Sequence, residues 1–385
     1  MHRTLGRITA SSLLAGLGMV APLRAQSPKL ALRDDPQNGR IVVTLSPIDL
    51  PAGAPHGGMT EPPAQTVVIP RDGWLQGYGL EMVDRNGRPV PRAVVHHLNL
   101  IMPDRRELFS PIMLRIGAMG SETAPVKLPR LLGLRVRKGE RLLVTTMLHN
   151  PTGRSYQGVE MRISMPFVDG GTWIPPFSVH PFYMDVMPPA GIHEYDLPAG
   201  KSQKSWEGKP SVAARVLGVG GHLHRYATLL RFEDVTAKTV LWEARPQLDA
   251  TGDVVGMPRG KFWWKGGIKV EPEHVYRLTA FYDNPTGHAI PGGGMGALGG
   301  IVVPSGGAKW PRVDLGDPEL QRDLEVTYGG MPMEHGGQPM QHGGHEMRMM
   351  GEAAPGAVGT GGASAAKAAP PANVDGASKT APHRH

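Results

Sequence analysis

The sequence predicts an all-β chain built as two antiparallel β domains in tandem. Three observations carry that prediction. The 385 residues include 52 Gly and 38 Pro but only 6% aromatics, a composition suited to many short strands joined by tight turns. Runs rich in β-branched and aliphatic residues recur along both halves, each bounded by turn formers. One turn, Asn-Pro-Thr-Gly, closes a strand-like run in each half, at 150–153 and 284–287. The length also suits two domains of about 100–200 residues each.

The N-terminus, MHRTLGRITASSLLAGLGMVAPLRAQ, places Arg3 and Arg7 before an apolar stretch, with Pro22 and Arg24 interrupting it and Ala25 offering a small residue for cleavage. Residues 1–25 are therefore predicted to be a signal peptide, and the protein to be secreted or periplasmic. From Ile41 the strands begin: IVVTLSPIDL, TVVIP, LEMVDRNGRPVPRAVVHHLNLIM with an Asn86-Gly87 hairpin signal, and RLLVTTMLHNPTG. The second half follows with ARVLGVGGHLHRYATLLRFEDV, TVLWEARPQL, VYRLTAFYDNPTG and GGIVVP. A turn-rich join at 185–200 divides the chain into domains at 38–188 and 189–315. Each Asn-Pro-Thr-Gly turn lies downstream of a histidine pair, so the halves read as two copies of one plan. Residues 316–385, which hold a Met/His-rich stretch at 331–350 and then an Ala/Gly/Pro-rich tail, are expected to be disordered.

Composition also excludes chemistry. There is no cysteine, which rules out disulfides, thiolate metal sites and cysteine nucleophiles. The net charge of +7 is spread along the chain without a long basic run, so nucleic acid is not an expected partner. No later apolar run reaches spanning length, so stable membrane insertion is not expected either.

Metal chemistry then falls to His, Met and carboxylates. His222 and His224 are two apart in a strand, so their side chains project to one side and can reach one ion. His96 and His97 are adjacent; to share an ion they need a bulge, a strand end or strong twist. Met147 and His149 are again two apart, and Met295 sits among glycines, where a packing methionine gains little. Imidazole suits copper, zinc, iron or nickel, and thioether sulfur is a soft ligand for Cu(I). The Met and His residues of 331–350 add a second set of copper-type ligands.

The order His-His, a strand ending at an Asn-Pro turn, His-X-His, then a Met before a final strand resembles the copper type II, ascorbate-dependent monooxygenases. This family includes peptidylglycine α-hydroxylating monooxygenase and dopamine β-monooxygenase. VVHHLNLI resembles its His-His strand, GGHLHRYA its His-X-His strand, and Met295 its methionine ligand. The resemblance covers about residues 40–310. It implies two jelly-roll domains facing each other across a solvent-filled cleft, with one copper on each. It further implies an electron-transfer copper on His96 and His97, and an oxygen-activating copper on His222, His224 and Met295. An external reductant such as ascorbate would supply the electrons, and a substrate C–H bond would be hydroxylated. The sequence departs from the pattern at the third ligand of the first copper, where Met147 stands and His149 follows two residues on; either can serve. No substrate-binding residue of the family can be matched. The alternative expectation is a non-catalytic copper protein for storage, delivery or resistance.

Overall fold

The computed structural model describes residues 27–53, 59–191 and 193–329. The expected signal peptide and the Met/His-rich and Ala/Gly/Pro-rich segments lie outside these residues. The fold is all-β and sandwich-like, and its strands bury two main cores.

In the first half, one sheet runs through Lys29–Asp35, Arg40–Leu50 and Tyr156–Asp169, and the other through Arg141–His149, Val95–Arg106 and Met113–Met119. Alternation explains their packing: Tyr156–Asp169 turns Val159, Met161, Ile163, Met165 and Phe167 inward, against Ile41, Val43 and Leu45. In the second half, His180–Asp185, Gly296–Pro304 and Ala214–Leu223 form one sheet, and Gly200–Gly208, Tyr276–Asn284, Ala227–Asp234 and Thr239–Ala244 the other. Phe182, Val216, Phe232, Tyr276, Leu278 and Leu298 fill the space between. The strand His180–Asp185 pairs with Gly296–Pro304 and packs in the second core, although it precedes the 188/189 boundary expected from sequence.

The two Asn-Pro-Thr-Gly turns are built alike. Asn150 donates from Nδ2 to the carbonyls of Pro51 and Arg154, and its Oδ1 accepts from the backbone and hydroxyl of Thr152. Asn284 donates to the carbonyls of Pro198 and His288, and accepts from the backbone and hydroxyl of Thr286. Both asparagines are buried, so each satisfies its amide by pinning a turn to a preceding Leu-Pro segment.

The halves meet along buried polar groups. Glu107 is fully buried, and accepts from the backbone N–H groups of Arg115 (2.7 Å), Leu108 (3.2 Å) and Tyr183 (3.0 Å). Burial nevertheless pushes its carboxyl up to about 8, against those bonds and the Arg115 charge. Leu108 and Phe109, from the first half, insert into the second core. Trp310 packs against both cores, stacks on His180 at 4.2 Å and donates to the Arg106 carbonyl.

One expectation is corrected here. The segment expected to be disordered from residue 316 begins with a docked helix, Pro318–Tyr328. Its ends carry ordinary signals: the Asp317 side chain caps the N–H groups of Glu319 and Leu320, Pro318 starts the first turn, and Gly329 closes it at φ 61°. Leu320 and Leu324 pack on Ile101, Met113 and Leu143. Asp323, 2% exposed, takes a forked ion pair from buried Arg115 and a hydrogen bond from the Met113 N–H. These local signals stand immediately before the low-complexity sequence, whose composition says nothing of the helix.

Removing one partner of a buried ion pair strands the other charge. Asp323→Ala should therefore destabilise the protein by about 3 kcal/mol in denaturant or thermal unfolding. Glu325→Ala, on the exposed face of the same helix, should leave stability unchanged.

Candidate metal centre

The His-His strand, Val95–Arg106, pairs with Arg141–His149. Met147 faces His97 and the next residue, Leu148, faces Val95, so His96 is the extra residue of a β-bulge. That bulge removes the conflict between adjacency and a shared face: the His96 and His97 rings lie 4.2 Å apart between centroids. The His-X-His strand, Ala214–Leu223, needs no such device. His222 lies within it and His224 just past its end, with ring centroids 5.2 Å apart. Gly221 brings this strand close to the sheet beneath, since a Cβ there would stand 2.5 Å from Leu230.

The two pairs meet. His97 lies 5.7 Å from His222 and 5.9 Å from His224, and His96 lies 5.9 Å from His224. The result is one nest of four imidazoles drawn from both halves. Two groups have ligand atoms within 4.8 Å of one another: His97, His222 and His224, and His96, His97 and Glu194.

Two carboxylates that the sequence reading missed complete the nest, and each crosses between the halves. Glu122, from the connection after Met113–Met119, accepts a hydrogen bond from Nδ1 of His222 at 2.6 Å. Glu194, just before the strand Tyr195–Leu197, lies 3.1 Å from Nε2 of His96. Neither belonged to a motif: Glu122 stands alone in a turn, and Glu194 in the turn-rich join. The neighbouring His193 is paired at 3.2 Å with Asp185, which is fully buried.

The electrostatics follow from this packing. Burial pushes His97 well below its usual range, and the nearby imidazoles of His222, His96 and His224 add to the effect. Burial and His222 lower His224 to about 3. Burial opposes charge on His222 too, but the hydrogen bond and charge of Glu122 outweigh it and raise that imidazole. Burial would raise Glu122, yet His222 holds it down to about 2. The hydrogen bond from His96 lowers Glu194 against its burial.

The residues fit a transition metal. The Nε2 atoms of His97 and His222 are buried without a hydrogen-bond partner. Such orphans are costly unless a ligand satisfies them. Glu122 on Nδ1 of His222 leaves Nε2 free as a lone pair, the arrangement by which an outer carboxylate fixes a ligand imidazole. Imidazoles with one carboxylate suit copper, zinc or iron.

The other expected ligands occupy the surroundings. Met147 lies opposite His97 in register, and His149, two residues on, pairs with Met59. Met295 is buried and directly precedes Gly296, the partner of Leu223. Tyr282 ties Met295 to the nest: its hydroxyl accepts from the N–H of His224 (3.1 Å) and of Met295 (3.1 Å), and donates to the Met295 carbonyl. The arrangement differs from two coppers separated by a cleft. His97 belongs to both ligand groups, so the geometry favours one ion, or two close together.

Among the described residues, no helix is long and apolar enough to cross a membrane. No family model matches the chain, and no curated protein does. Among solved structures, it is similar to PNGase F, a glycosylasparaginase from Flavobacterium meningosepticum, at a TM-score of 0.33 and 11% identity over 67% of this chain and 95% of that one. A second similarity, to infectious bursal disease virus Gx strain, has a TM-score of 0.19 and 10% identity over 75% of this chain and 77% of that one. At these scores neither bears on function. The class defined by fold and site is an all-β chain with a histidine–carboxylate nest shared by its two halves.

The metal-free chain should lose stability as pH falls from 6.5 to 5. In that window the unfolded chain protonates histidines that the fold keeps neutral, chiefly His97, His224 and His180. His222, raised by Glu122, and Glu107, raised by burial to about 8, bind protons more readily folded than unfolded and so partly offset this loss. Urea unfolding with chelator across this range should show a shallower slope in His224→Asn; an identical slope would mean that His224 is not held neutral.

Proposed function

We propose that this is an exported copper-binding protein whose histidine nest holds the metal, and that it is related in chemistry to the two-copper monooxygenases. The observation that carries the reading is the convergence of His96, His97, His222 and His224, with two buried Nε2 atoms lacking any partner. His97, His222 and His224 would hold the ion, with His96 and its partner Glu194 beside it. Copper bound there supplies one-electron redox chemistry and, with oxygen and an external reductant such as ascorbate, the means to hydroxylate a C–H bond. The protein's own part is positioning. Glu122 keeps the Nδ1 proton of His222, Glu194 orients His96, and Tyr282 fixes the backbone of His224 and Met295. A thioether ligand from Met295 would favour Cu(I).

A second reading, copper storage or delivery without catalysis, is favoured by the direct ring contact between the two histidine pairs. The Met/His-rich sequence at 331–350 adds to it.

Copper titration of protein truncated after residue 329 tests the site apart from that sequence. Binding should be lost in His97→Ala with His224→Ala, and Glu122→Gln should weaken it by about 10- to 100-fold. Equal binding in the double variant would refute the assignment. Met295→Ile should weaken Cu(I) more than Cu(II). Oxygen consumption with ascorbate and copper separates the two readings: sustained turnover with a C–H substrate supports the enzyme, and copper retention without it supports storage or delivery.

A further inference from the structure

Away from the nest, the first half carries an apolar tip that stands exposed among the described residues. The connection after Tyr156–Asp169 runs through Trp173 (96% exposed) and Ile174 (69%) to Phe177 (60%). Phe177 donates its N–H to the carbonyl of Leu131, itself 67% exposed, and the short strand it begins runs parallel to Leu132–Val136. Four large apolar side chains thus project from two adjoining segments. Each costs solubility and adds nothing to either core.

The tip has a basic collar. Residues 123–139 contain Lys127, Arg130, Arg135, Arg137 and Lys138 and no acid, and all five cations are exposed. They alternate with apolar residues, so they do not read as a charge run. The nearby carboxylates are engaged: Asp169 pairs with Arg71, Glu140 with Arg105, and Asp72 accepts the Lys138 N–H. The Asp72 carbonyl also accepts the Gly170 N–H, which brings the Arg137–Lys138 turn against the base of the Trp173 connection.

We propose that this surface docks the protein on an anionic phospholipid bilayer. Trp173, Ile174, Phe177 and Leu131 would enter the headgroup region, and the collar would meet lipid phosphates. Exposed aromatics suit the membrane–water interface, and basic residues beside them are attracted to anionic lipid. Charge complementarity favours this occupant over a second copy of the chain, whose matching tip would bring collar against collar. The proposal is independent of what the histidine nest binds.

The test is co-sedimentation of the full mature chain with vesicles of phosphatidylglycerol and phosphatidylcholine, beside vesicles of phosphatidylcholine alone. Binding is expected only to the anionic vesicles and should weaken as salt rises. Trp173→Ser with Phe177→Ser should reduce it by about tenfold or more, as should Arg130→Glu with Lys138→Glu, with unchanged melting temperatures. Absence of binding by the unaltered protein, or binding by both double variants as strong as that of the unaltered protein, would overturn the proposal. So would self-association in sedimentation velocity that the Trp173/Phe177 variant abolishes while vesicle binding persists, since the tip would then belong to a second copy.

Discussion

Two carboxylate–imidazole contacts, Glu122 with His222 and Glu194 with His96, join the halves of the molecule at the candidate site. They are reciprocal: the first half lends a carboxylate to a histidine of the second, and the second returns one to the first. The four imidazoles come as two pairs from two sheets, and each contact ties one pair to the opposite half. The rings stand within contact of one another, and a shared ion becomes geometrically possible. The same contacts set proton positions. A carboxylate on Nδ1 of His222 leaves Nε2 directed inward, where it has no other partner.

The interface behind the nest keeps that arrangement rigid. Glu107, buried without a counter-ion bonded to its carboxylate, gathers three backbone N–H groups from both sides. Arg115, whose N–H is one of these, reaches on to Asp323 of the terminal helix. Trp310 bridges the two cores. Buried polar groups of this kind cost free energy unless every partner is in place, so they tolerate few relative positions of the two halves. The histidine nest inherits that restriction.

Much of this was legible in the sequence. The strands were visible because alternation and turn formers are local signals, and the repeated Asn-Pro-Thr-Gly turns mark equivalent corners of the halves. The histidine motifs were visible as well, and adjacency alone showed that His96 and His97 need a bulge to act together. What could not be read depends on long-range placement. Glu122 and Glu194 acquire meaning only from partners about 100 residues away. The convergence of the two pairs into one nest is a tertiary fact with no local signature. The terminal helix was different: its Asp-Pro start and Gly stop were present, but the low-complexity sequence beyond it dominated the reading. Trp173 and Phe177 lie in a Gly/Pro-rich turn, where their exposure depends on what the fold leaves uncovered.

The central claim is that both halves supply ligands to one metal centre. The most direct measurement is a copper-loaded crystal structure with anomalous diffraction at the copper edge. The account predicts copper bound to His97, His222 and His224, with Glu122 still bonded to Nδ1 of His222. Copper held by the two histidine pairs at separate positions, each out of reach of the other pair, would contradict it.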